Sequence, residues 1–407
     1  MAELYSLPNG WEWKKLGDIG KISTGKTPPK ANKEFYENGT IRFIKPPNLQ
    51  NSYNIQKAES DEFVTEDGAK KSTLLPKNTL MVCCIGSLGK FALSNEKVIT
   101  NQQINSIIFY DDIINYKYGY YYGFKLEKLL NDVANEAVVK IVNKTIFSNL
   151  DIPLPPLEEQ KRIVVNLDIL FSKIDKAIAL HQKNIDEADI FMLSVLNDAF
   201  VELEEKFQVK TLKDISNIIS GYAFKSGDFS NDNKIKSIKI TNVGVQNFVE
   251  EDDNFLPEEL LNKLSKYTAN YGDIAIALTR PYISNGLKVT YIPKTYDGAF
   301  INQRVAVIQS NKNFTSNSFI YHYLCTSNVL FNIMELSKTL NQPNLSIKDL
   351  SNFEIPLPPL KTQQKIVSYL DEISQKIEKI KQIQKEKMQS LKELKASILD
   401  KVFKGEL

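Results

Sequence analysis

Beyond residue 152 the apolar positions narrow to a stripe. Ile163, Leu167, Leu170, Ile174 and Ala177 recur at alternating steps of four and three, and Ile366, Leu370, Ile373, Ile377 and Ile380 repeat the spacing. This is the seam of a helix that packs against another helix. The stripe resumes at Val195, Leu196 and Phe200 in the first stretch and at Ile398, Leu399 and Phe403 in the second, with Lys, Glu, Gln and Asp filling the remaining surface. Each predicted helix runs about 40 residues, or about 60 Å at a rise of ~1.5 Å per residue. A helix that long with so narrow a stripe needs a partner helix. The simplest partner is its own copy, antiparallel, which gives the chain a pseudo-twofold axis; dimerisation through the same stripes is the alternative.

Elsewhere the pattern is of another kind. "TLMVCCIG", "INSIIFY", "DIAIALT" and "RVAVIQS" are short apolar, β-branched runs bounded by Gly, Asn and Asp, as strands are. Helical patterns occur at "YKYGYYYGFKLEKLL" and "SNSFIYHYLCTSNVLFNIM". The fold class is therefore α+β: two similar mixed α/β globular domains, joined by two long antiparallel helices in a coiled-coil pairing.

The similarity of the halves is written in the residues. "IPLPPLEEQKRIV" at 152–164 returns as "IPLPPLKTQQKIV" at 355–367, an offset of 203. "KKLGDIGKISTG" at 14–25 corresponds to "KTLKDISNIISG" at 210–221, and "TNQQI" at 100–104 to "INQRV" at 301–305. The segments between diverge, so the halves share a chassis and differ in loops. The divisions expected are 1–150 and 207–352 for the globular domains, and 151–206 and 353–407 for the helices. The Pro-rich stretch gives each helix an extended approach.

"GKISTGKT" at 20–27 has the spacing of a phosphate-binding P-loop. That chemistry needs a helix starting at the Lys, and Pro28 and Pro29 in tandem argue against one. The second copy reads "SNIISGYA", without the first Gly, the Lys or the Thr, so work common to both halves is not P-loop chemistry. The simpler expectation is a loop in which Gly25 supplies an unusual backbone angle, leaving Lys26 and Thr27 as side-chain donors to a phosphate.

Composition adds few constraints. The 407 residues are 42% hydrophobic and 25% charged with net charge +2, as for an ordinary folded protein. No apolar run is long enough to span a bilayer, and the first residues lack a signal-peptide core, so a cytoplasmic location is expected. Cys83, Cys84 and Cys325, with His181 and His322, match neither a disulfide framework nor a zinc site and are expected to be buried thiols and ordinary histidines. "KPPNL" at 45–49 lacks the flanking residues of the amino-methyltransferase motif, "GSLGK" at 86–90 is too short for a dinucleotide fingerprint, and "EEDDN" at 250–254 reads as a solvated loop. No catalytic constellation recurs in both halves, which points to a reader with two heads.

The opening "LPNGWEWKKLGDI", the doubled "IPLPPL" helix approach and the domain–helix–domain–helix order resemble the specificity subunit of type I restriction–modification systems. The resemblance covers essentially the whole chain and departs from perfect doubling in having Phe207 where the first copy has Trp11. It implies two target-recognition domains, each reading one half of a split, asymmetric sequence in double-stranded DNA. The helices would set the spacing and dock two methyltransferase subunits. S-adenosylmethionine, ATP and Mg²⁺ would belong to partner subunits, including the restriction/translocase subunits, with no catalysis or cofactor in this chain. A coiled-coil scaffold whose globules bind proteins is the competing class.

Base-edge reading favours Arg for guanine and Asn or Gln for adenine, while Lys, Ser and Thr commonly hold phosphate. On that basis the candidate DNA contacts are Lys26, Thr27, Lys45, Asn48, Ser87, Lys90 and Gln102 in the first domain. In the second they are Tyr222, Lys225, Lys239, Asn242, Arg280, Tyr282 and Gln303. Asn101 and Asn302 recur in both copies and are equally consistent with support of a turn.

Overall fold

The structure, a computed structural model, describes residues 5–53, 61–134, 139–253, 255–283, 286–337 and 343–407. The chain divides into two compact units, Met1–Ala179 with Lys387–Leu407, and Leu180–Glu386. Each unit takes one globular domain and a part of both long helices, so the division cuts across the helices rather than falling at their ends.

In the first unit the strands are β1 (Glu12–Lys15), β2 (Gly20–Thr24), β3 (Ile41–Ile44), β4 (Glu62–Val64), β5 (Leu80–Cys83), β6 (Phe91–Leu93), β7 (Val98–Thr100), β8 (Ile104–Phe109) and β9 (Asp151–Leu154). Four form an antiparallel sheet in the order β2-β8-β5-β6, and β4-β3-β7 form a smaller sheet with β3 parallel to β7. In β5, Leu80 and Val82 join one hydrophobic cluster while Met81 and Cys83 join another. Both faces of the strand are covered, which is why "LMVC" is apolar throughout. One face packs against the domain helix Tyr116–Val133 and the long helices, the other against the smaller sheet.

The second unit repeats the plan with β10 (Val209–Thr211), β11 (Ser216–Ser220), β12 (Ser237–Ile238), β13 (Ile274–Ala277), the short hairpin β14 (Tyr282–Ile283) and β15 (Gly286–Leu287), β16 (Val289–Tyr291), β17 (Phe300–Ile301), β18 (Val305–Ser310) and β19 (Glu354–Pro356). Its sheet order β11-β18-β13-β16 matches the first unit's strand for strand, and β12 runs parallel to β17 as β3 does to β7. The domain helices are Asn317–Leu324 and Ser327–Ser337. The first of these is capped by Ser316, as Asn115 caps Tyr116–Val133.

The long helices span Leu157–Lys206 and Leu360–Lys404, 50 and 45 residues, longer than their stripes predict. Each begins directly after the second Pro of a Pro-Pro pair, a position where the missing N–H costs nothing. The strand before each helix closes its domain by pairing with the strand that opens it, β9 with β1 and β19 with β10. Pro153 and Pro356 sit in these two-stranded ribbons, which demand fewer ladder donors than a central strand.

Gln160 and Gln363, equivalent positions of the repeat, fasten each helix to its domain. The buried amide of Gln160 donates to Pro155 O at 2.8 Å and Ile113 O at 3.1 Å, and accepts from Asn115 N–H at 2.7 Å. Gln363 donates to Pro358 O at 2.9 Å and Phe314 O at 2.8 Å, and accepts from the Thr315 hydroxyl at 2.8 Å. Two turns on, Asp168 accepts from Tyr121 Oη and Lys117 Nζ, and its counterpart Asp371 is bonded to His322 Nε2 at 2.8 Å. Burial outweighs the attraction of Asp371 and pushes the His322 pKa down, so the imidazole is held neutral.

Within each unit the helices pair antiparallel. In the first, Asp175 meets Lys395 at 2.9 Å and Arg162 reaches Leu407 O at 3.4 Å, while the Lys395 ammonium lies 4.5 Å from the Phe171 ring centroid. In the second, Asp189 meets Lys381 at 2.7 Å, and His181 and Asn184 both contact Gln384. Of the predicted seam, Ile163, Leu167, Ile174, Leu370 and Ile377 are buried, and Ile366 and Ile373 are half-buried. Leu170 departs from the expectation at 40% exposed, as does Ile380 at 46%. Phe171, 5% exposed, carries the seam instead, packed edge-to-face on Tyr121 at 5.5 Å. The cause is that this end of the helix faces the domain helix as well as its partner, which rotates the buried arc by one position.

Candidate nucleic-acid interface

Three loops leave one end of each four-stranded sheet. In the first unit Thr24 pairs with Asn105, Cys83 with Ile104 and Val82 with Phe91, so the loop after β2, the β5–β6 hairpin loop and the loop before β8 share an edge. The turn after β3 joins them, because Ile44 lies beside Thr100. The second unit repeats each pairing, Ser220 with Ala306, Ala277 with Val305, Ile276 with Val289 and Ile238 with Ile301. Most of the sequence candidates fall on these loops.

Gly25 and Gly221 mark where the loop after the first sheet strand passes under the turn before the last. A Cβ on Gly25 would lie 2.3 Å from Asn101 O, and one on Gly221 2.0 Å from Asn302 O. Close approach, not an unusual angle, makes these positions glycine: neither has a φ in the left-handed region. After Thr27 the chain reaches the short 3₁₀ turn Lys33–Phe35 without an α-helix, so the P-loop context is missing.

In the first unit Thr27 Oγ1 donates to Gln102 Oε1 at 2.8 Å, and the Lys26 N–H donates to Ser72 Oγ at 3.1 Å, with the Lys26 side chain exposed. The "KPPN" turn is closed by Asn48, whose Oδ1 accepts from the Lys45 N–H at 2.9 Å while Nδ2 donates to Asp61 at 3.2 Å. Asp61 also pairs with the buried Arg42 at 2.8 Å. The Lys45 ammonium is bonded to Glu62 and lies 5.1 Å from the centroid of the Phe43 ring. Lys45, Pro46, Ile85, Ser87, Asn101 and Gln103 line one open cleft; Ser87 and Lys90 are exposed on the hairpin loop.

The second unit builds the same turn from "KITN". Asn242 is fully buried, accepting from the Lys239 N–H at 2.7 Å and donating to Val249 O at 2.7 Å. Lys239 pairs with Glu251 at 2.7 Å and Asp253 at 3.3 Å; burial opposes its charge, but these bonds overcome that and raise its pKa. "EEDD" is thus an ion-paired loop rather than a merely solvated one. Tyr222 is partly exposed against Phe224 and Tyr267, with ring centroids 5.1 Å away in each case, and its carbonyl accepts from the Gln303 N–H at 2.9 Å. Lys225 is exposed at a turn closed by Asp228. Arg280 is exposed in a left-handed backbone conformation, φ 48°, while Tyr282 packs partly onto the core beside Leu287.

Equivalent backbone hydrogen bonds in the two units mark further basic positions on the platform. Cys83 N–H donates to Lys90 O at 2.8 Å and Ala277 N–H to Lys288 O at 3.1 Å, so Lys288 is the counterpart of Lys90. Cys84 N–H donates to Gln103 O at 2.7 Å and Leu278 N–H to Arg304 O at 2.8 Å, so exposed Arg304 stands where the first unit has Gln103. The alignment of "TNQQI" at 100–104 with "INQRV" at 301–305 places Arg304 opposite Gln103. Lys288 was hidden because its hairpin loop is longer than that of Lys90. Asn101 and Asn302 are turn residues: Ile104 N–H donates to Asn101 O at 3.2 Å, and Val305 N–H to Asn302 O at 2.9 Å.

Cys83, Cys84 and Cys325 are buried, unbridged thiols, and burial pushes Cys84 and Cys325 up to about 12. Among the described residues no cluster of three or more His, Cys, Asp or Glu side chains is arranged to hold a metal ion, and no helix is long and apolar enough to cross a membrane.

Fold and loops together define a duplicated recognition protein, two copies of one platform carrying different loop residues. Residues 8–188 and 204–387 each match the model of the type I restriction modification DNA specificity domain, and the chain belongs to that family. The type I restriction enzyme MjaVIII specificity subunit of Methanocaldococcus jannaschii is 30% identical, over 95% of this chain and 91% of that protein. The EcoAI specificity subunit of Escherichia coli is 24% identical, over 97% and 83%. Among solved structures, a chain from a study of assembly and conformational transition of the type I R-M system matches with TM-score 0.75 at 22% identity, over 99% of this chain and all of that one. The HsdS subunit from Thermoanaerobacter tengcongensis matches with TM-score 0.52 at 22% identity, over 99% of each chain.

Proposed function

We propose that the chain is the sequence-reading subunit of a type I restriction–modification complex. Each globular domain reads one half of a split, asymmetric target in double-stranded DNA. The long helices set the spacing between half-sites and dock two methyltransferase subunits. Adenine methylation and ATP-dependent cleavage, with S-adenosylmethionine, ATP and Mg²⁺, belong to the methyltransferase and restriction/translocase partners, and the complex works in the cytoplasm.

The observation that carries this is the match of the two sheets, strand for strand, beneath loops whose residues differ. Two different half-sites require two loop sets on one frame. In the second domain Arg280 and Arg304 offer planar guanidinium donors suited to guanine edges. In the first, the exposed Gln102, its Oε1 bonded to Thr27, keeps an Nε2 able to donate to a base edge, while Gln103 Oε1 accepts from Asn101 Nδ2 at 2.9 Å and braces the turn.

The test maps methylated adenines in DNA from cells expressing the chain with its methyltransferase partner, against cells lacking only this chain. A split motif that vanishes with the chain is the expected result. In the same assay Arg280→Ala is expected to relax one half of the motif and spare the other. Identical maps with and without the chain would favour a protein-binding scaffold, and equal relaxation of both halves would overturn the division of reading between the domains.

A further inference from the structure

Each unit carries two lysines at equivalent places on its loop platform, and their electrostatic circumstances differ. Lys45 and Lys239, at the head of the turn after β3 or β12, are both bonded to carboxylates of their own unit. Among the described residues neither Lys90 nor Lys288 is ion-paired. Both stand immediately before the returning strand of the hairpin, β6 or β16, and their carbonyls accept from equivalent backbone donors.

Strand alternation fixes the face of the sheet to which they belong. Phe91 and Val289, the next residues, join the clusters on the domain-helix face. Ala92 joins the cluster on the other face, with Ile44 and Leu49 flanking the "KPPN" turn, and Lys90 shares its face by the period of two. Lys288 obeys the same alternation, and its ammonium donates to Ile240 O at 3.0 Å, inside the "KITN" turn. Burial and the neighbouring Arg280 both work against its charge and lower its pKa. A nearby anion would relieve that strain, as a phosphate does for clustered cations.

We infer that Lys90 and Lys288 are the paired phosphate-positioning residues of the two domains, fixing DNA register on each platform while the variable loops beside them choose the bases. Lys45 and Lys239 hold their turns through carboxylates instead. The inference rests on the DNA-reading function proposed above and divides its labour.

The experiment measures duplex affinity of the full chain assembled with its methyltransferase subunits, from 50 to 200 mM salt, on cognate duplexes and on duplexes altered in either half-site. Lys90→Met and Lys288→Met are each expected to lower the slope of log affinity against log salt by about 0.9, with cognate and altered duplexes weakened by the same factor. The affinity lost over that salt range then shrinks roughly 3-fold for each variant. Lys90→Arg and Lys288→Arg retain the slope. Unchanged slopes in natively melting Met variants, a changed preference between duplexes, or loss of slope in natively melting Arg variants would overturn the inference and leave the reading function standing. A wild-type assembly that neither discriminates duplexes nor responds to salt would remove the reading function, and this inference with it.

Discussion

The side-chain amide of Gln160 satisfies three backbone groups at once, and Gln363 serves two carbonyls and a hydroxyl in the same way. Replacing Gln160 by Ala strands a buried N–H and two carbonyls, at about 1–3 kcal/mol for each group left unpaired. Gln363→Ala is expected to destabilise comparably, and urea unfolding of each variant against wild type measures both losses. The glutamine repeats in "LEEQ" and "LKTQ", yet between solvated Glu and Lys it reads as one more polar helix residue, because a single sequence does not show which polar side chain is buried. The same limit governs the asparagines. Asn48 and Asn242 have the chemistry of adenine readers, but each uses its amide to cap a turn. Residue type states what a side chain can bond; only the fold shows what is already bonded.

At the scale of elements the long helices were the most legible part, since a seam repeated across the chain is hard to produce otherwise. The stripe fixes their position along the chain but not which face of each turn is buried. A spacing of four and three admits Leu170 or Phe171 equally, and the choice depends on the domain helix, whose Tyr121 receives Phe171. Phe171→Ala is therefore expected to cost about 3–5 kcal/mol, whereas Leu170→Ala stays within about 0.5 kcal/mol, as an exposed position should. Thermal melting of the two single variants decides between the seams, and equal costs would return Leu170 to the buried arc. The strands were legible as apolar runs. Their order was not, because the β3–β7 pairing joins residues far apart in sequence and no local pattern encodes it.

At the scale of the whole molecule, the repeat concealed an asymmetry of construction. The second unit is one uninterrupted run, Leu180–Glu386, whereas the first gathers Met1–Ala179 and Lys387–Leu407. Leu399, Val402 and Phe403 belong to the first unit's main core, and Phe403 lies edge-on to Tyr118 and Tyr122 at 5.3 and 5.0 Å. Deleting residues 387–407 should thus open the first unit and leave the second nearly intact. Limited proteolysis should cut within 12–154 long before 209–356. Simultaneous digestion of both would mean that the units do not fold separately.

The same construction sets an order in time. A ribosome delivers all of the second unit before it releases the aromatic ring that completes the core of the first. The domain made first is thus the last to close, and until residue 403 is delivered its tyrosines wait for a phenylalanine not yet synthesised.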